Sequence, residues 1–114
     1  MSSTTPIFLV KPLADYPRVP LQSYSGKTDR RVLALGSDFK DYVVVDLVVF
    51  NLDSVNQLRV IVNNAMDMVI GAMGFIAFNN VICEKVEVIP NASTGSWQIH
   101  PFGISREILQ RKVS

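Results

Sequence analysis

Tyr42-Val43-Val44-Val45-Asp46-Leu47-Val48-Val49-Phe50 is the stretch that decides the fold of this 114-residue chain. Its valines lose side-chain freedom against the preceding turn of a helix, whereas they fit the pleated surface of a sheet. As a strand it places Val43, Val45, Leu47 and Val49 on one face. Tyr42, Val44, Asp46, Val48 and Phe50 fall on the other. A strand apolar on nearly both faces belongs at the centre of a sheet or against a subunit. Asp46 is the exception, and an ionised carboxylate among valines needs a partner. Arg31 and Arg59, flanking the neighbouring predicted strands, are the candidates; a solvated patch is the alternative.

Toward the C-terminus, strands and turn signals alternate at short intervals. Asn51-Leu52-Asp53-Ser54 reads as a turn, followed by a strand at 58–62. Asn63-Asn64, Gly71-Ala72-Met73-Gly74 and Asn79-Asn80 separate strands at 66–70 and 75–78. Val81 to Ile89 alternates, with Ile82, Val86 and Val88 inward and Lys85 and Glu87 outward. Residues 90–95 form a loop, and 96–100 are the last clear strand. Beyond Gly103 the chain makes either a helical turn capped by Ser105 or an edge strand. One segment admits a second reading. Val55, Leu58, Val62, Ala65, Val69 and Ala72 follow helical spacing behind a capping-box-like Ser54. Asn63-Asn64 and Val60-Ile61-Val62 oppose a helix over 55–72, so the all-β reading is preferred. The sequence therefore predicts a single small β-sandwich or compact barrel of about seven or eight strands.

Toward the N-terminus, Val32-Leu33-Ala34-Leu35 reads as a short strand closed by Gly36-Ser37-Asp38. Four of the six prolines lie in the first twenty residues. Each removes a backbone donor and biases the residue before it toward extended geometry. Residues 1–30 are thus predicted to be an extended proline-rich N-terminal arm and connector, and 31–114 the β-sandwich domain. Ile7, Phe8, Leu9 and Val10 make this arm too apolar for a typical disordered tail. It should lie along something, either its own domain or a neighbour.

Composition narrows the function. Eleven basic and ten acidic residues leave a net charge of +1. A general nucleic-acid binder, which needs many phosphate-neutralising side chains, is not expected. Charged residues make up 18% of the chain, below the roughly 25% of ordinary domains, so some apolar surface should face a partner. The opening Met-Ser-Ser-Thr-Thr-Pro has neither a basic nor a long apolar region, and no secretion signal is expected. Val60 to Ile82 is interrupted by Asn63, Asn64, Asp67, Asn79 and Asn80, which argues against a membrane span.

No residue pattern points to catalysis, a cofactor or a metal. His100 stands alone at a strand end. Cys83 has no neighbour that would activate its thiol and reads as structural. Asp38 and Asp41 are too few for a calcium loop. Asn91-Ala92-Ser93 matches a glycosylation acceptor, expected by chance here. Trp97 is either a core residue or a sugar-stacking platform. Met66, Met68, Met73, Phe75 and Phe78 cluster in a nearly uncharged region, a composition favoured at interfaces. The candidate interface comprises Ile7, Phe8, Leu9, Val10, Met66, Met68, Phe75 and Phe78.

Several of these features occur together in a known group. The strand YVVVDLVVF, the turn Asn-Leu-Asp-Ser, LRVIVNN, the Gly-centred hairpin, NNVICEKVEVIP and TGSWQI resemble small β-sandwich virion proteins of tailed and other bacteriophages. The resemblance spans residues 42–103 and is one of strand-and-turn rhythm, so no functional residue carries over. It implies a decoration, cement, connector or accessory role, with extended arms clasping adjacent subunits. The expected function is a non-enzymatic structural subunit, a minor or decorating virion protein assembled in the host cytoplasm. Its expected partners are other virion subunits and further copies of itself, with no small-molecule substrate, nucleic acid or membrane. The alternative is a glycan- or receptor-binding module resting on Trp97, Tyr42 and the surface loops. An enzyme would have to borrow catalytic groups from a partner chain.

Overall fold

Asparagines break the chain where the sequence predicts turns. Asn63 and Asn64 both take positive φ, 55° and 56°, and Ala65 N–H donates to Val62 O at 3.0 Å. That is the backbone a tight primed hairpin turn requires, and asparagine tolerates it better than most residues. The helical alternative over 55–72 is thereby replaced by two strands. A computed structural model describes residues 11–90 and 96–109; Ile7, Phe8, Leu9 and Val10 and the Asn91-Ala92-Ser93 sequon lie outside the described residues. The strands are β1 (Val19–Pro20), β2 (Tyr24–Gly26), β3 (Arg31–Leu33), β4 (Tyr42–Asn51) and β5 (Leu58–Val62). They continue with β6 (Met66–Ile70), β7 (Phe75–Asn79), β8 (Val86–Pro90) and β9 (Trp97–Ser105). Single helical turns α1 (Leu35–Asp38) and α2 (Arg106–Leu109) accompany them. No helix among the described residues is long and apolar enough to cross a membrane.

The pairings are nested. β1 and β2 both pair with β9, β3 with β8, β4 with β7 and β5 with β6, all antiparallel. Two further pairings, β4 with β9 and β5 with β8, join this long folded-back ribbon into two sheets. The first sheet runs β1-β9-β4-β7, with β2 also on β9; the second runs β3-β8-β5-β6. With β1 and β2 counted as one interrupted strand, this is the eight-stranded jelly-roll topology. The predicted small all-β sandwich is what the chain forms.

Between the sheets, Leu47, Val49, Val60, Val62, Val86, Val88, Trp97 and Ile99 are all fully buried. A second, smaller cluster of Tyr16, Val43, Val45, Ile104 and Leu109 forms apart from it. This division corrects the predicted strand alternation. The register of β4 on β9 shifts between Val44 and Asp46, and such a bulge reverses which face each residue takes. Val44 therefore joins Leu47 and Val49 in the main core, while Val43 and Val45 turn to the other side.

Three more boundaries differ from expectation. The strand predicted at 32–35 ends at Leu33, and Leu35 opens α1. The predicted strand 81–89 is regular only from Val86. Residues 81–85 instead cross from one sheet to the other. Val81 and Cys83 N–H donate to Val45 and Val44 O, and Asn63 Oδ1 accepts from Glu84 N–H. Ile82, predicted inward, packs against the smaller cluster, whereas Glu87 is covered by an ion pair with Arg30. Finally, residues 19–26 contribute two short strands to the first sheet of the body itself.

Candidate interaction face on the first sheet

The bulge in β4 also decides what the outer surface of the first sheet carries. From Asp46 onward, Leu47 and Val49 point into the core, so Asp46, Val48 and Phe50 point out. Register extends this face across three strands. Gln98, Phe50 and Phe75 form one row, His100, Val48 and Ala77 the next, and Phe102, Asp46 and Asn79 the third. Val48, Phe50, His100 and Phe102 are half-buried, and Phe75 is 66% exposed. The rings gather around Phe50. Its centroid lies 5.8 Å from that of Phe75 and 5.5 Å from that of His100, the latter edge-on. Aromatic pairs prefer such tilted and edge-on contacts.

The rest of the same outer face is already covered by the chain. Tyr16 and Leu13 from the N-terminal segment, with Leu109 from α2, pack on Val43, Val45 and Ile104. Arg18 secures this cover. Its Nε donates to Asp46 Oδ2 at 2.8 Å, its Nη1 to Leu13 O at 2.5 Å and Tyr16 O at 2.8 Å, and its Nη2 to Asn80 Oδ1. Asn80 N–H adds a second donor to Asp46, at 2.9 Å. Asp46 thus finds its counter-ion in Arg18, in place of Arg31 or Arg59. Arg31 instead donates to Ser25 O and lies over the Trp97 ring, 5.6 Å from its centroid. Arg59 forms a two-pronged pair with Asp67 on the second sheet, at 2.9 and 2.5 Å. This pair holds the Asp67 carboxyl below its usual pKa, chiefly by the hydrogen bond from Arg59.

The predicted interface residues do not form one patch. Phe78 is buried in the main core, and Met66 packs against that core. Met68 is exposed on β6 in the second sheet; Phe75 is exposed on β7 in the first. Of these, Phe75 alone belongs to the aromatic face. Its companions Phe50, His100 and Phe102 were missed as interface residues. The signal was there in Phe50, on the second apolar face of the 42–50 strand.

Other candidates resolve into structural positions. Trp97 is fully buried, packed so closely on Gly26 that a Cβ there would collide with its ring; it offers no platform to a sugar. Cys83 is buried, its Sγ donating to Val81 O at 3.2 Å. Burial, and secondarily Asp46, pushes its thiol up to about 11. Asp38 accepts a 2.7 Å hydrogen bond from the Tyr24 hydroxyl. Burial and that bond hold the Tyr24 phenol well above its ordinary pKa. Among the described residues no group of three or more His, Cys, Asp or Glu is placed to hold a metal ion. What the outer face can do chemically is bury apolar surface against another surface. No protein-family model, curated protein or solved structure matches this chain.

Proposed function

We propose that this protein is a non-enzymatic structural subunit, a minor or decorating component of a virion, that docks on neighbours through the outer face of its first sheet. The observation that carries this reading is the half-covered sheet. Where the described N-terminal segment and α2 cross that face, apolar residues are buried; beside them, with no other described segment over them, Val48, Phe50 and Phe102 are half-buried and Phe75 is exposed. Each square ångström buried there contributes about 25 cal/mol. A modest contact repeated around a symmetric particle becomes strong through multivalency. Among the described residues of the face, the one carboxylate, Asp46, is already neutralised by Arg18, so its burial strands no charge. Jelly rolls serve capsids, lectins and cupins alike, and the surface chemistry must decide among them. Trp97, one of the three features on which the glycan-binding alternative rests, is buried.

The test is co-fractionation. The protein should travel with intact particles through a density gradient at fixed stoichiometry, and Phe75→Ser should weaken that association without unfolding the domain. Recovery of the wild-type protein solely as a soluble monomer at high concentration would refute the reading.

A further inference from the structure

We infer that β7 is a self-pairing edge: it adds antiparallel to β7 of a second copy about a two-fold axis at Ala77, joining two first sheets into one. This rests on the assembly reading above and names its partner. A strand at a sheet margin presents unpaired N–H and C=O groups, and natural proteins protect such margins with charge, proline, bulges or brevity. Among the described strands, three margins of this sandwich are protected. β1 and β2 have two and three residues, and β1 ends in Pro20. β3 has three residues and begins with Arg31. β6 carries Asp67, tied to Arg59. β7 is the remaining margin. It has five residues, Phe75-Ile76-Ala77-Phe78-Asn79, without charge, proline or bulge, and among the described residues it pairs with β4 on one side alone.

Self-complementarity selects a second copy as occupant. With the axis at Ala77, Phe75 lies opposite Asn79 of the second copy, Ile76 opposite Phe78, and Ala77 opposite itself. A two-fold contact always brings a surface against its own image, so any net charge would meet like charge. β7 has none, and the nearest ionised pair, Arg18 and Asp46, is internally compensated. The smallest side chain of the strand falls on the axis, the one position where a side chain stands directly opposite its own copy. Pairing inward continues the Ile76 and Phe78 layer of the core; pairing outward makes the two aromatic faces one continuous surface. Strand addition supplies affinity through main-chain hydrogen bonds, and the alternating side chains set the register.

The experiment uses the full chain. Sedimentation equilibrium and light scattering at about 50 μM, above a micromolar Kd, should give a dimer. Ala77→Cys should form an inter-chain disulfide on mild oxidation. Opposed Cα atoms in an antiparallel pair lie about 4.5–5.5 Å apart, within disulfide reach. The native Cys83 is buried and will not compete. Met68→Cys, on the β6 margin, should not cross-link. Ala77→Lys, at an exposed position, should keep the native circular dichroism yet weaken dimerisation by at least about a hundredfold through like-charge repulsion. A monomeric wild type, a dimer that persists in Ala77→Lys, or cross-linking through Met68→Cys in place of Ala77→Cys would each overturn the inference. A monomer that still travels with particles would sink the β7 pairing and leave the assembly reading standing. A cross-linked dimer absent from every particle fraction would do the reverse.

Discussion

Replacing Arg18 by methionine should show how much the N-terminal cover contributes. The substitution keeps most of the aliphatic stem and removes the guanidinium, which joins Asp46, Leu13, Tyr16 and Asn80. Deleting one partner of a fully buried ion pair costs about 3–5 kcal/mol, because the other charge is left uncompensated. Here the two side chains retain 18 and 17% of their exposure. Water therefore recovers part of the loss, and Asn80 N–H still donates to Asp46. A loss of about 2–3 kcal/mol follows, equivalent to a drop in Tm of roughly 10–20 °C for a domain of this size. Urea denaturation followed by Trp97 fluorescence measures it. The cycle of Arg18→Met, Asp46→Asn and the double variant isolates the pair, with a coupling of at least about 1 kcal/mol expected between groups in contact. A loss in Arg18→Met below about 0.5 kcal/mol, or strictly additive single effects, would refute the view that Arg18 fastens the segment to the sheet.

Asn51 is 1% exposed, and its Nδ2 donates to the carbonyls of Asn56, Ile70 and Gly71 while its Oδ1 accepts from Asp53 N–H. Asn51→Leu should therefore destabilise by about 2–4 kcal/mol in the same assay, through stranded carbonyls and a misfitting side chain. Cys83, buried with its thiol pushed up to about 11, should react with a thiol reagent at neutral pH at least about a hundredfold more slowly in the folded protein than in urea. Asp53 is held below its ordinary pKa by hydrogen bonds from Val55 N–H and then Asn56 N–H. A depressed carboxylate stabilises fully above its unfolded pKa and loses that contribution as the pH falls through the folded value. The difference in stability between wild type and Asp53→Asn should accordingly shrink below about pH 4, and a difference that is constant down to acid unfolding would contradict this.

How much of this was legible beforehand depended on whether the deciding physics was local. Asn63-Asn64 marks its hairpin by composition, because positive φ at two successive residues is a local requirement. The valine run marks its strand for the same reason. The bulge at Val45 is set by the pairing of β4 with β9, more than forty residues later in the chain, and it shifted the predicted faces of Val43 and Val45. Asp46 advertised a need for a counter-ion. Which arginine met it depended on the path of residues 11–18 over the sheet, which no local pattern encodes. Likewise Phe75 and Phe78 look alike in sequence, yet three positions apart on a strand they take opposite faces, one exposed and one in the core.

The nested ribbon fixes the order in which the domain can be born. β9 lies inside the first sheet, between β1 and β4, and β8 lies inside the second, between β3 and β5. The last two described strands to leave the ribosome are therefore central to their sheets. Until they arrive, the long apolar β4 has one flank unfilled, and β3 has no partner among the described strands. Pairings between distant parts of a chain close slowly, and open strand margins invite association with other chains in the meantime. Synthesis of this domain thus has a vulnerable interval that ends only when β8 and β9 are free to pair. The single tryptophan, Trp97, sits at the start of β9 and is buried on docking. Its fluorescence during refolding should report that closing step directly, and should lag behind the earlier formation of the β5–β6 hairpin.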